Sequence, residues 1–167
     1  MKTLGRVLYL LFPLPLLVSS ALAADSRTLT VTANIIAMVP CTIDVSGVNP
    51  LSLGEIVTDK VNGVNGKTLI PYTVSCSSAA NLKMTLITSS AATWYGQGTL
   101  VTAGLNYQNL GVQLLKEDGS PVVFNQAMSF HSSSRPKLYA VLVKRAGTNL
   151  VAANFYSASA TMRVEYP

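Results

Sequence analysis

The chain has very little with which to do acid–base or metal chemistry. Its 167 residues include one histidine, one tryptophan, two cysteines and seven acidic residues, and only 11% of positions are charged. The one histidine, His131, sits in SFHSSSRP beside three serines. A Ser-His pair needs an orienting carboxylate and an oxyanion hole, and no G-x-S-x-G elbow accompanies it. It reads as a polar loop histidine. The acidic residues are scattered, so none can be paired as acid and base. GQG at 96–98 lacks a following GK[ST] and a helix, which excludes a phosphate loop. DKVNGVNG, residues 59–66, lacks the ligand spacing of an EF-hand and reads as plain turns. The expectation is no enzyme, no metal and no cofactor.

Charge of one sign is also sparse. The formal net charge is +5, but no Lys/Arg cluster concentrates it. That argues against nucleic acid as a partner. Long apolar runs are absent beyond residue 18. The one run present, VLYLLFPLPLLV from Val7 to Val18, follows Lys2 and Arg6 and precedes the small residues of SSALA. A membrane span needs about 20 apolar residues, and this shorter run carries two prolines. It reads as a secretory signal peptide over residues 1–23 with an A-x-A site, cleaved between Ala23 and Ala24. The mature chain is expected to be soluble and to form one domain. In an exported protein, Cys41 and Cys76 most simply form one disulfide. A two-cysteine metal site is the alternative, disfavoured by the single histidine and the lack of a CxxC spacing.

What the mature chain has in abundance is alternation. Leu29, Val31, Ala33, Ile35, Ala37, Val39, Cys41, Ile43 and Val45 share one parity. TLIPYTVSC puts Tyr72, Val74 and Cys76 on one face. NLKMTLIT does the same with Leu82, Met84 and Leu86, and LGVQLL with Leu110, Val112 and Leu114. KLYAVLVK is apolar on both faces, as suits a central strand. Asp118-Gly119 is a hairpin signal. SLGEIVTDKVNG holds at most a short turn of helix. The closing segment FYSASATMRVEYP, expected to begin its strand near Asn154, sets Tyr156, Ala158, Ala160, Met162, Val164 and Tyr166 on one face. Such alternation marks strands with one buried face. Six or seven short strands with Gly, Asn, Ser and Pro turns predict an all-β antiparallel sandwich.

The long alternating arm before Pro40-Cys41, the LSLGEI segment, the second cysteine at Cys76 and the tail ASATMRVEY with its penultimate Tyr166 resemble the pilin subunits of chaperone–usher fimbriae of the type 1 kind. The resemblance covers residues 24–167 and points to a minor or adaptor subunit. Two positions depart from the family pattern: Asn154 and Ala33 stand where glycine is usual. Asparagine is the non-glycine residue that best tolerates positive φ.

The resemblance implies an incomplete immunoglobulin-like sandwich of six strands, with the seventh supplied by another chain. It divides the mature protein into a donor-strand extension, residues 24–36, and a pilin domain, residues 37–167. Leu29, Val31, Ala33 and Ile35 are then the donor residues that fill a neighbour's groove. Ala160, Met162, Val164, Tyr166 and Pro167 form the strand beside this chain's own groove, which a periplasmic chaperone also binds, with basic groups anchoring the Pro167 carboxylate. Open strand edges associate, and strand addition is an established recognition mode. Groove and arm at opposite ends give a head-to-tail filament. The implied partners are the chaperone, an outer-membrane usher and neighbouring pilins. The implied route runs through the periplasm to a fimbrium on the cell surface. The alternative is a tip-associated adhesin in which Trp94 and Tyr95 stack on a host glycan; in a sandwich such a pair more often caps the core.

Overall fold

The computed structural model describes residues 39–45, 50–152 and 156–167. The chain divides into two units, Met1–Ile36 and Ala37–Pro167, and every described residue belongs to the second. The signal segment, the arm residues Leu29, Val31, Ala33 and Ile35, and Asn154 lie outside the described residues.

The described residues form nine strands: β1 (Cys41–Asp44), β2 (Thr68–Leu69), β3 (Thr73–Cys76), β4 (Asn81–Ile87), β5 (Thr99–Val101), β6 (Leu110–Lys116), β7 (Ala127–His131), β8 (Leu138–Lys144) and β9 (Thr161–Glu165). The helical content among them is one 3-10 turn, Thr58–Lys60, within the segment expected to hold such a turn. All ladders are antiparallel. They build a four-stranded sheet β2-β8-β6-β5, a three-stranded sheet β7-β4-β9 and a two-stranded ladder β1-β3. This is an incomplete immunoglobulin-like sandwich.

The alternation seen in the sequence places the core. Met84 and Leu86 of β4, with Tyr72, pack against Leu100, Leu114, Leu138 and Ala140 from the four-stranded sheet. Burying such apolar side chains is the main favourable term in folding, worth about 1.5–3 kcal/mol for each fully buried large residue. β8 is central, as its two apolar faces require. Leu138 and Ala140 face the main core, while Val141 and Val143 join Leu115 and Tyr139 in a second cluster on the opposite face. At the Asp118-Gly119 hairpin, Gly119 adopts φ 81° and donates its N–H to the Lys116 carbonyl. Asp118 accepts from both the N–H and the hydroxyl of Ser120, and those bonds hold its carboxyl below the usual range.

Two boundaries differ from the sequence reading. TLIPYTVSC is not one strand. β2 pairs with β8 and β3 pairs with β1, so the chain changes layer at Pro71. Proline has no N–H to give a ladder, and the Ile70 N–H makes the last bond to the β8 side, to the Leu138 carbonyl. This split also raises the strand count above six or seven. At the tail, the β4–β9 ladder begins at Thr161 and not near Asn154; among the described residues before it, Ser157 makes one isolated bridge to Ala103. Tyr156 leaves the apolar row because its hydroxyl bonds the Val151 carbonyl and the Asn106 amide.

Candidate functional site: a groove between two strand edges

β1 and β9 each have a ladder on one side only among the described residues, β1 with β3 and β9 with β4. Their other edges face each other across a cavity of about 580 Å³ lined by Cys41, Ile43, Leu82, Val164, Glu165 and Tyr166. One added strand between them would join the two ladders into a continuous sheet in the order β3-β1-added-β9-β4-β7. Strands lie about 4.8 Å from their neighbours, and an unpaired edge presents a row of N–H and C=O groups ready for a partner.

Residue types explain the groove wall by wall. In β9 the half-buried residues are Met162 and Val164, followed by Tyr166; Thr161, Arg163 and Glu165 are exposed. Met162 and Val164 sit opposite Leu86 and Met84 of β4 and pack against the main core. Leu82, 1% exposed, lies at the floor. In β1 the half-buried pair is Cys41 and Ile43. A disulfide joins Cys41 to Cys76, closing 35 residues of sequence. It fixes β1 to β3 at the first pair of their ladder, where Cys41 is the register partner of Cys76.

Tyr166 ties the two walls together at one end, its hydroxyl donating to Cys41 Sγ at 3.1 Å. Since Cys41 meets Tyr166 while Ile43 and Val164 line the same cavity, β1 and β9 run in opposite directions. Charge stays on the rim. Arg163 Nε and Glu165 Oε2 are 3.3 Å apart, both side chains about half exposed, and Lys83 is the cross-strand neighbour of Glu165.

The structure therefore brings Cys41, Val164 and Tyr166 together at one groove, with Cys76 linked to it through the disulfide and Met162 packed against the main core. Ala160 and Pro167 are exposed. Trp94 and Tyr95 stand elsewhere, with ring centroids 6.1 Å apart and planes at 80°. The Tyr95 hydroxyl lies against Gly63, where an added Cβ would come within 2.8 Å, and Trp94 lies beside Gly111. The two rings meet edge to face, and Tyr95 is 38% exposed. His131 ends β7, and its Nδ1 is 2.7 Å from Ser133 Oγ within a local turn. Asn62 in DKVNGVNG directs its side-chain oxygen to the N–H groups of Val64 and Asn65.

Two features had no clear sequence signal. Cys41 and Ile43 were visible as a parity row, but their service as the opposite wall depends on long-range topology. Asn106, 3% exposed, joins distant segments: its Nδ2 donates to the Val151 carbonyl and to the Tyr156 hydroxyl, and its Oδ1 accepts from the Val151 N–H. Nothing in GLNYQN distinguishes a buried clasp from a turn asparagine.

The model of the fimbrial protein family matches residues 28–167. Among curated proteins, the uncharacterized fimbrial-like protein YfcQ of Escherichia coli strain K12 is 28% identical over 158 residues, spanning 90% of this chain and 94% of that protein. The uncharacterized fimbrial-like protein YfcR of the same strain is 34% identical over 132 residues, spanning 76% of this chain and 73% of its own. Among solved structures, the P pilus rod subunit PapA superposes with TM-score 0.55 at 14% identity, covering 84% of this chain and all of that one. The P pilus adaptor subunit PapF gives TM-score 0.53 at 18% identity, covering 78% and 98%.

Proposed function

This chain belongs to the fimbrial protein family, and from that premise we propose that it is a structural pilin that polymerises by donor-strand exchange. The groove between β1 and β9 receives the arm, residues 24–36, of a neighbouring subunit, and this chain's own arm fills the next groove. The observation that carries the reading is that β1 and β9 each have a ladder on one side only among the described residues and both line one largely apolar cavity. The alternating row Leu29, Val31, Ala33 and Ile35 has the period needed to turn one face into that cavity. The likeness to two P pilus subunits supports the same fold for the same assembly principle.

The orientation of the guest strand follows from the walls. Because β1 and β9 are antiparallel to each other, a strand between them is parallel to one and antiparallel to the other. Antiparallel pairs are slightly more stable per residue, and β9 is the longer edge. The arm therefore runs antiparallel to β9, with its carboxyl end beside the start of β9.

Before assembly, the open edge calls for protection. A periplasmic chaperone would shield it and an outer-membrane usher would exchange it, after removal of residues 1–23 during export. The role is structural, and the chain contributes a binding surface instead of a catalytic centre.

Ile35→Asp tests the assignment, because a carboxylate in an apolar groove has no partner and costs several kcal/mol. The variant subunit is expected to accept a neighbour's arm but to fail as a donor. Filaments of normal length containing Ile35→Asp subunits on the donor side would overturn it.

A further inference from the structure

Ahead of β9, where Ser157 bridges Ala103, the surface changes character. Leu105 is 75% exposed, Tyr107 54% and Val151 56%. These three apolar residues surround one buried polar group. Asn106 holds the Val151 backbone through both its N–H and its carbonyl, at 3.0 and 2.7 Å, and reaches the Tyr156 hydroxyl. The Asn106 carbonyl accepts from the N–H groups of Asn109 and Leu110, and the Ala103 N–H donates to the Ser157 carbonyl. The loop is thus built firmly around the inward-turned Asn106, with Leu105, Tyr107 and Val151 turned out and the Tyr107 hydroxyl accepting from the exposed Gln108 amide. Exposed apolar residues grouped on an ordered scaffold mark an interaction surface.

We propose that Leu105, Tyr107 and Val151 form the seat for the folded body of the donor subunit, a second copy of this chain, whose arm fills the groove. The inference rests on the donor-strand reading and adds a body-to-body contact to it. The length of the connecting chain selects the occupant. An arm antiparallel to β9 leaves the groove at the start of β9, Thr161, and four residues before it Ser157 pairs with Ala103 at the foot of this loop. From Ile35 to Cys41, where the donor's β1 begins, the chain spans at most about 20 Å at about 3.3 Å per residue. The donor's body must therefore sit against this end of the acceptor. The rim it brings includes Pro40, exposed and immediately before Cys41, a rigid apolar residue suited to an apolar seat. Such a contact would set the angle between successive subunits, which a flexible connection alone leaves free.

The test uses an acceptor chain carrying Ile35→Asp, so that its own arm is disabled, and two donors: a synthetic peptide of residues 24–36 and the whole wild-type chain. A second acceptor adds Leu105→Ser, Tyr107→Ser and Val151→Ser, keeping Asn106. Peptide binding is expected to be the same for both acceptors, while the whole-chain donor dissociates about tenfold faster from the second. A benzophenone side chain at position 107 is expected to cross-link to the donor near Pro40. If the peptide binds neither acceptor, the groove reading fails and this inference with it. If the peptide binds both equally and the whole-chain donor shows no difference, or the cross-link maps away from the donor's body, the seat alone is overturned. Equal thermal midpoints of the two acceptors establish that the triple substitution leaves the fold intact; weaker peptide binding by the second would also overturn the seat as a separate surface.

Discussion

β8 and β9 are both short strands that carry an apolar face, β8 on both sides and β9 on one, and they live in different circumstances. β8 is hydrogen-bonded along both edges, to β2 and to β6, and Val141 and Val143 are fully buried. β9 is hydrogen-bonded to β4 alone among the described residues, and Met162 and Val164 are only half covered. The apolar row of β8 is spent on this chain's own core. That of β9 forms one side of a core that this chain leaves unfinished. An apolar face therefore goes with full burial in one strand and half burial in the other, and in the proposed assembly the half-covered face is the one that receives a neighbour.

The comparison breaks most sharply under charge. Val141→Asp places an unpaired carboxylate in a fully buried site, and a loss of more than about 4 kcal/mol is expected. Recovery of folded protein, read by circular dichroism, should fall to nothing. Removing the disulfide as Cys41→Ser with Cys76→Ser should come next. The closed loop of 35 residues gives about 4 kcal/mol by chain-entropy arithmetic. Denaturant titration measures it, and the loss should be accompanied by weaker capture of the arm, because β1 is the groove's second wall. Val164→Asp should separate folding from recognition. At this half-buried site the folding cost should be about 1–2 kcal/mol, while binding of a residue 24–36 peptide drops at least about 100-fold, since the guest strand would seal the carboxylate away from water.

The smallest effect concerns pH. Burial pushes the Tyr72 phenol up from 10.0 to about 12, with the Arg135 cation pulling the other way. The hydroxyl donates to the Pro136 carbonyl, and Arg135 Nε donates to the Tyr72 carbonyl at 2.8 Å. The fold favours the protonated phenol, so this contribution is whole below pH 10 and is lost as pH rises from about 10 to about 12. Unfolding midpoints taken across that window should slope downward for the wild type and less steeply for Tyr72→Phe. Because Tyr72 lies in the core common to both sheets, the slope should be the same whether the groove is empty or filled.

How much was legible in the sequence follows the range of the interactions. Alternation within NLKMTLIT and TMRVE found real strands, since the period of a half-buried strand is a local property. The position of β8 was legible because KLYAVLVK is apolar on both faces, as a strand covered on both sides requires. The layer change at Pro71 was missed because parity continues through TLIPYTVSC although the ladder cannot. The disulfide pairing was legible because only two cysteines exist. The groove's composition was half legible: Met162, Val164 and Tyr166 announce an apolar face, but their meeting with Cys41 and Ile43 is set by topology across the length of the domain. Asn106 was not legible at all, as its partners lie 45 and 50 residues away.

The place of the disulfide has a mechanical consequence. In the proposed filament joined by arms, tension on a subunit would enter its body through residues 37–40 and arrive at Cys41. The β1-β3 ladder is only four pairs long, and Cys41 with Cys76 is the pair nearest the pull. Without a covalent link there, the load would peel the ladder open one pair at a time from its end. With it, the force would pass directly into β3 and on to the rest of the body, and β1 would keep its place as a wall of the groove.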